Sequence, residues 1–205
     1  MTMHLTLLGD SIFDNFAYTE GRPAVIDHVR RHLPAGWSAS LQAVDGSVAA
    51  DVPRQVGLMP AQTTHLALSV GGNDALASLS RLSAPSTTVM ASLQVLADIQ
   101  AGFARSYRAA LAAVLASGRP LVVCTIYDHV PGLTAPLRAA LSLFNDVIVR
   151  EALRHDLQVV DLRQVCTEPA DYAQSSPIEP SSSGGDKVAA ALARAVAPVS
   201  GRLGS

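Results

Sequence analysis

The run Leu7-Leu8-Gly9-Asp10-Ser11-Ile12-Phe13-Asp14-Asn15 sets a serine directly after a short apolar stretch. A glycine two residues earlier permits a tight turn that exposes the serine at the end of a buried strand, the position of a nucleophile. In the plainer reading, Ser11 caps a following helix and Asp10 satisfies turn amides. Two later apolar stretches end in the same way, as Val44-Asp45-Gly46-Ser47 and Val70-Gly71-Gly72-Asn73-Asp74. The backbone N–H groups of Ser11 and Gly46 and the side-chain amide of Asn73 can then converge on one oxygen. Such an oxyanion hole stabilises the charge that develops when a serine attacks an ester carbonyl, each donor being worth roughly 2.7–4 kcal/mol. Singly, Asp45-Gly46 reads as a turn and Asp74 as a helix N-cap. Their recurrence at three successive strand ends is what carries the reading, with Asp10 and Asp74 in supporting positions.

Positioning these residues requires short buried strands alternating with longer amphipathic helices. Strands are expected at His4–Leu8, Ser38–Val44, His65–Val70, Leu121–Ile126 and Gln158–Leu162. Helices are expected at Pro23–Leu33, Thr87–Ala116, Pro136–His155 and Ser183–Val196, the first opened by a proline and the second stopped by Gly118. Strands this apolar on both faces are covered on both sides. The expectation is one α/β domain over 1–205, a three-layer α/β/α sandwich with a five-stranded parallel sheet of flavodoxin-like topology. In such sheets ligands bind beyond the carboxyl ends of the strands, which makes strand position a filter for functional residues.

Together these segments resemble the SGNH hydrolases, also called the GDSL esterase/lipase family, whose blocks supply a serine, a glycine, an asparagine and a histidine in that order. Ser11, Gly46 and Asn73 match the first three, and Gly71-Gly72-Asn73-Asp74 after an apolar strand is the most specific piece. The resemblance implies the three-layer fold and hydrolysis of carboxylic esters through an acyl-enzyme on Ser11, without metal or organic cofactor. The fourth block normally brings an aspartate and, three residues later, a histidine followed by proline. This chain has Ser176-Pro177-Ile178-Glu179-Pro180, with Glu179 in the histidine's place and Ser176 in the aspartate's.

Ser11 needs a base to take its proton and return it to the leaving alcohol. An ordinary glutamate has a pKa near 4.3 against about 6.5 for histidine, a deficit of roughly 3 kcal/mol in proton affinity. Desolvation among Pro177, Ile178 and Pro180 raises a carboxyl pKa and closes that gap. In the competing reading Glu179 pairs with Lys187 or caps the closing helix. Among the histidines, His4 and His65 begin strands, His28 and His32 lie late in the first helix and His155 ends the helix before the fifth strand. His129, after the fourth strand and beside Asp128, is the one histidine at the carboxyl edge and stands as a reserve base.

Composition narrows the remaining classes. With 49% hydrophobic and 16% charged residues and a net charge of −2, the chain is globular and offers no basic surface for nucleic acid. A small acyl ester is the expected substrate. The two cysteines are too few for a disulfide framework, and Cys124 lies inside an apolar run. No signal peptide or membrane span is read from the sequence, so a cytoplasmic location is expected. No metal-ligand spacing occurs at the strand ends, and no phosphate-binding glycine motif follows the first strand. The chief alternative is a module of the same fold that binds an acyl or sugar ligand without turnover. Leu137, Leu141, Phe144 and Ile148 share a helical face that suits core packing or a dimer surface, leaving the oligomeric state open.

Overall fold

The computed structural model describes residues 3–197. Five strands, β1 (His4–Gly9), β2 (Ser38–Leu41), β3 (His65–Ser69), β4 (Leu121–Cys124) and β5 (Gln158–Val160), form one parallel sheet in the order β2-β1-β3-β4-β5. This is the flavodoxin-like order, with its switch point between β1 and β3. The period-two alternation of each strand divides two cores. Leu5, Leu7, Ala67, Val122 and Cys124 face α1 (Val25–His32), α7 (Leu162–Val165) and α8 (Ser182–Val196). Leu8, Leu66, Leu68, Leu121 and Val123 face α2 (Val52–Gly57), α5 (Val89–Leu115) and α6 (Ala135–Arg154). The three-layer sandwich follows from burial on both faces of the sheet.

β2, β3, β4 and β5 end before the apolar runs that encode them, while β1 runs one residue past Leu8. β2 stops at Leu41 because the Gln42 and Ala43 N–H groups both turn onto the Leu7 carbonyl, at 2.9 and 3.0 Å. β5 stops at Val160 because Asp161 caps α7, accepting from the Arg163 N–H at 3.2 Å. Two short helices, α3 (Gly72–Ala77) and α4 (Leu79–Leu82), occupy the stretch after β3. Asp74 reads locally as a helix N-cap, yet α3 begins two residues earlier at Gly72, entered through Gly71 at φ +130°, and Asp74 lies in its first turn.

Helix α8 is held against α1 by close packing and by polar contacts. Asp186 Oδ1 lies 2.9 Å from both His28 Nδ1 and His32 Nε2, which accounts for the two histidines of α1. A Cβ on Gly184 would stand 2.0 Å from the Asp171 carbonyl oxygen, so only glycine lets α8 start where it does. Gly184→Ala is expected to cost about 3 kcal/mol through forced displacement of backbone, read as a lower urea midpoint.

Candidate active site

Ser11 stands in a turn that the local backbone dictates. Gly9 ends β1 at φ +129°, and a Cβ there would lie 1.7 Å from the Ser69 carbonyl oxygen of the neighbouring strand. The chain then folds back on itself: the Phe13 and Asp14 N–H groups both donate to the Asp10 carbonyl at 3.1 Å, and the Ile12 N–H donates to Asp10 Oδ1 at 3.1 Å. Asp10 therefore shapes the turn with both its carbonyl and its carboxyl. Ser11 is left 6% exposed at the mouth of the switch point between β1 and β3.

Asn73 reaches the same cleft from the first turn of α3, just after β3. Its side-chain amide donates one N–H to the Ser47 carbonyl at 3.0 Å, leaving the second N–H of the NH2 group for another acceptor. Asp74 Oδ2 accepts from the Ala49 N–H at 3.0 Å and so ties α3 to the loop after β2. Gly46, at φ +80°, sits at the tip of the Val44–Ser47 turn. That turn is joined to the nucleophile's own loop: the Asp45 N–H donates to Asp14 Oδ2 at 3.0 Å, and the Tyr18 hydroxyl donates to Asp45 Oδ2 at 2.8 Å.

Glu179 comes from the far end of the chain, yet it lines one cleft with Asp10, Ser11 and Asn73. Its loop is fixed on both sides. The Glu179 N–H donates to the Ser176 carbonyl and its own carbonyl accepts from the Ala173 N–H, each at 2.9 Å. The buried Asn15 amide donates to the Pro180 carbonyl at 3.0 Å while its oxygen accepts from the Val25 N–H at 2.9 Å. Both competing explanations of Glu179 are met by other residues. Lys187 pairs with Glu168 at 3.0 Å and Asp171 at 2.7 Å, and the Ser181 hydroxyl caps α8.

Burial decides the carboxyl chemistry here. Glu179 is 6% exposed, and desolvation raises its pKa to about 7; the Ser11 hydroxyl beside it works the other way, and the charge of Asp45 adds to the rise. Glu179 Oε2 is buried with no hydrogen-bond partner. Asp10 is also raised to about 7, by burial first and then by the charges of Glu179 and Asp74 against the pull of the Ile12 and Gly71 N–H groups. Asp74 is shifted upward by burial as well. A carboxyl whose proton affinity matches that of an imidazole thus faces the serine. Ser176, in the aspartate's place, is half-buried and offers its carbonyl to the Glu179 N–H.

His129 is placed differently. Its side chain is 47% exposed, lies 3.1 Å from Asp128 Oδ1 through Nδ1, and is outside the lining of the cleft that holds Ser11. Gly46 and Asp74 also lie outside that lining. Among the described residues, no group of three or more His, Cys, Asp or Glu side chains could hold a metal ion, and no helix is long and apolar enough to cross a membrane.

The cleft beyond Ser11 encloses about 290 Å³. Leu76 and Leu79 of α3 and α4 form one wall, and Val130, Leu137 and Leu141 of α6 and the segment before it form the other. Composition gave no signal for this space. Its walls are drawn from two helical segments some 60 positions apart in sequence, which only the crossover topology sets opposite each other.

Residues 7–186 match the sequence model of the GDSL-like lipase/acylhydrolase family. The chain belongs to this family. Ester hydrolysis is the reaction class that membership supports. The chain is similar in fold to an extracellular lipase from Streptomyces rimosus, at 17% identity and a TM-score of 0.70, covering 94% of this chain and 99% of that one. A lipase from a goat rumen metagenome aligns at 18% identity and a TM-score of 0.72, over 95% and 98% of the two chains. An acetylxylan esterase from Geobacillus stearothermophilus aligns at 16% identity and a TM-score of 0.69, over 95% and 94%. No curated protein matches the chain by sequence.

Proposed function

We propose that this GDSL-like protein hydrolyses carboxylic esters of small to medium acyl groups through an acyl-enzyme on Ser11, with Glu179 as the base. The observation that carries the reading is the cleft shared by Ser11, Asn73 and a nearly neutral-range Glu179. Ionised Glu179 takes the Ser11 proton as Oγ bonds to the acyl carbon, and the carbonyl electron pair moves onto oxygen. The free N–H of Asn73 and the backbone N–H of Ser11 hold that oxyanion, Gly46 lying outside the cleft lining. Collapse breaks the ester C–O bond and the leaving alcohol takes the proton from Glu179. Water repeats the sequence against the acyl-enzyme and regenerates Ser11. His129, paired with Asp128 outside the cleft, has no part in this scheme.

Cleft size and chemistry support a modest apolar acyl group. A volume of about 290 Å³ stands at the low end of small-molecule pockets, which run roughly 300–1,000 Å³. Each methylene buried in it contributes about 0.8 kcal/mol, close to fourfold in kcat/KM. p-Nitrophenyl hexanoate is therefore expected to be turned over with a higher kcat/KM than the acetate, and the palmitate to gain nothing further. Leu137→Gln, which replaces an apolar wall group, should flatten the rise from acetate to hexanoate while leaving acetate turnover within twofold. A protein that shows no preference between acetate and hexanoate has no acyl group in this cleft.

A further inference from the structure

Gln55 belongs to α2, forms no part of the cleft, and is 1% exposed. Burying an uncharged amide this completely demands partners for its oxygen and both of its N–H groups. It finds them in the backbone of Gly9. Gln55 Oε1 accepts from the Gly9 N–H at 2.7 Å, and Nε2 donates to the Gly9 carbonyl at 2.8 Å. Gly9 is the last residue of β1, two positions before the nucleophile, and it pairs with Ser69 of β3 on one side. On its other side β2 has already ended at Leu41. There the Val44 N–H also donates to the Gly9 carbonyl, at 3.1 Å, and the carboxamide of Gln55 completes the pairing by taking up the Gly9 N–H and sharing that carbonyl.

The second N–H of Nε2 points to the Ser47 hydroxyl at 3.3 Å, and the Ser47 carbonyl is the group that accepts from Asn73 Nδ2 at 3.0 Å. One chain of hydrogen bonds thus runs from Gly9 through the buried Gln55 and Ser47 to the half-buried Asn73. We infer that Gln55 is a positioning residue for ester hydrolysis, fixing the Ser11 turn and the Asn73 amide relative to each other from behind the cleft. This rests on the reading of Ser11 and Asn73 given above. The chemistry demands such a link, because a donor to the oxyanion acts only when held about 3 Å from where the charge develops, and small displacements of the nucleophile are costly.

The test compares Gln55→Leu and Gln55→Glu with wild type on p-nitrophenyl butyrate at pH 8, recording kcat and KM separately together with thermal melting. Leucine removes the clamp. Glutamate has the same size and still accepts from the Gly9 N–H, but it offers at most one O–H in place of two N–H groups, so in either protonation state it cannot serve both the Gly9 carbonyl and the Ser47 hydroxyl. Val114→Ala, in the far end of α5, serves as a variant that loses stability without touching this chain of bonds. The expected result is a fall in kcat of at least tenfold for both Gln55 variants, at temperatures where each is folded, with KM within twofold of wild type. Val114→Ala should lower the melting temperature and leave kcat within twofold. If leucine prevents folding, the glutamate variant alone decides. A kcat unchanged in the folded Gln55→Glu protein, or a loss confined to KM, overturns the positioning role. Turnover that survives in Ser11→Ala, measured alongside, overturns the reading of the site itself.

Discussion

Ser11→Ala lowers kcat for p-nitrophenyl butyrate by roughly 10⁴-fold or more and abolishes covalent labelling by a fluorophosphonate. The size follows from the mechanism: removing a serine nucleophile leaves only the oxyanion donors and substrate binding to act on an attacking water. The fold is not at stake, since Ser11 contributes no side-chain bond to the hydrogen-bonded frame of its turn, which is built from Gly9, Asp10 and Gln55. Circular dichroism should be unchanged. The substitution has a second, opposite effect on its neighbour. The Ser11 hydroxyl is the group that favours ionised Glu179, so alanine shifts that carboxyl's pKa further upward. Labelling that persists in Ser11→Ala would place the nucleophile elsewhere and remove the basis of the mechanism.

Glu179→Gln lowers kcat by about 10²–10⁴-fold, the range of a lost general base, with a smaller effect on KM. In wild type, the base acts when ionised, so kcat rises with pH through about 7 and levels above it. The lower limb should vanish from whatever activity Glu179→Gln retains. Stability moves in the opposite direction. The folded carboxyl holds its proton more tightly than the unfolded one, from an ordinary 4.5 to about 7. That binding stabilises the fold fully below about 4.5 and is lost as pH rises through about 7. Glutamine carries no charge to desolvate. The variant therefore melts above wild type at pH 8, by roughly 2–4 °C for each kcal/mol recovered, and near it at pH 4. A more stable and nearly inactive variant separates the two roles of the carboxyl. Equal activity of wild type and Glu179→Gln at pH 8 would remove Glu179 from the mechanism.

The raised pKa of Asp10 bears on the same profile. The charge of Glu179 pushes the proton affinity of Asp10 upward, and Asp10 is the more deeply enclosed of the two. Asp10 is occupied with the Ile12 N–H and lies under the turn, while Glu179 approaches Ser11 itself, which divides their work between shaping the nucleophile's loop and accepting its proton.

The periodicity of the apolar runs was enough to place all five strands and the four long helices, because burial on both faces leaves an unbroken apolar signal of strand length. It overran the ends of β2, β4 and β5, where strand is exchanged for a turn, a cap or a side-chain partner. At β4, the Ile126 N–H and carbonyl pair with the Asn145 amide, at 2.7 and 2.9 Å, rather than with a strand. Asn145 and Gln55 are polar residues inside helices, and nothing local distinguishes them from solvated ones. Their partners lie 19 and 46 positions away.

For the site, the sequence by itself determined which strand ends bear Ser11, Gly46 and Asn73, since glycine followed by a small polar group is a local pattern with a local cause. It also marked Glu179 as the residue standing where a histidine belongs. Only the tertiary structure decided that Glu179 faces Ser11, that its proton affinity reaches the neutral range and that His129 does not share the cleft. The reason is physical: a carboxyl's pKa and reach are set by the dielectric and the neighbours that packing brings to it, and those come from Asn15, Asp45 and Pro180, distant from one another along the chain. What a residue is can be read in order; what it is buried against cannot.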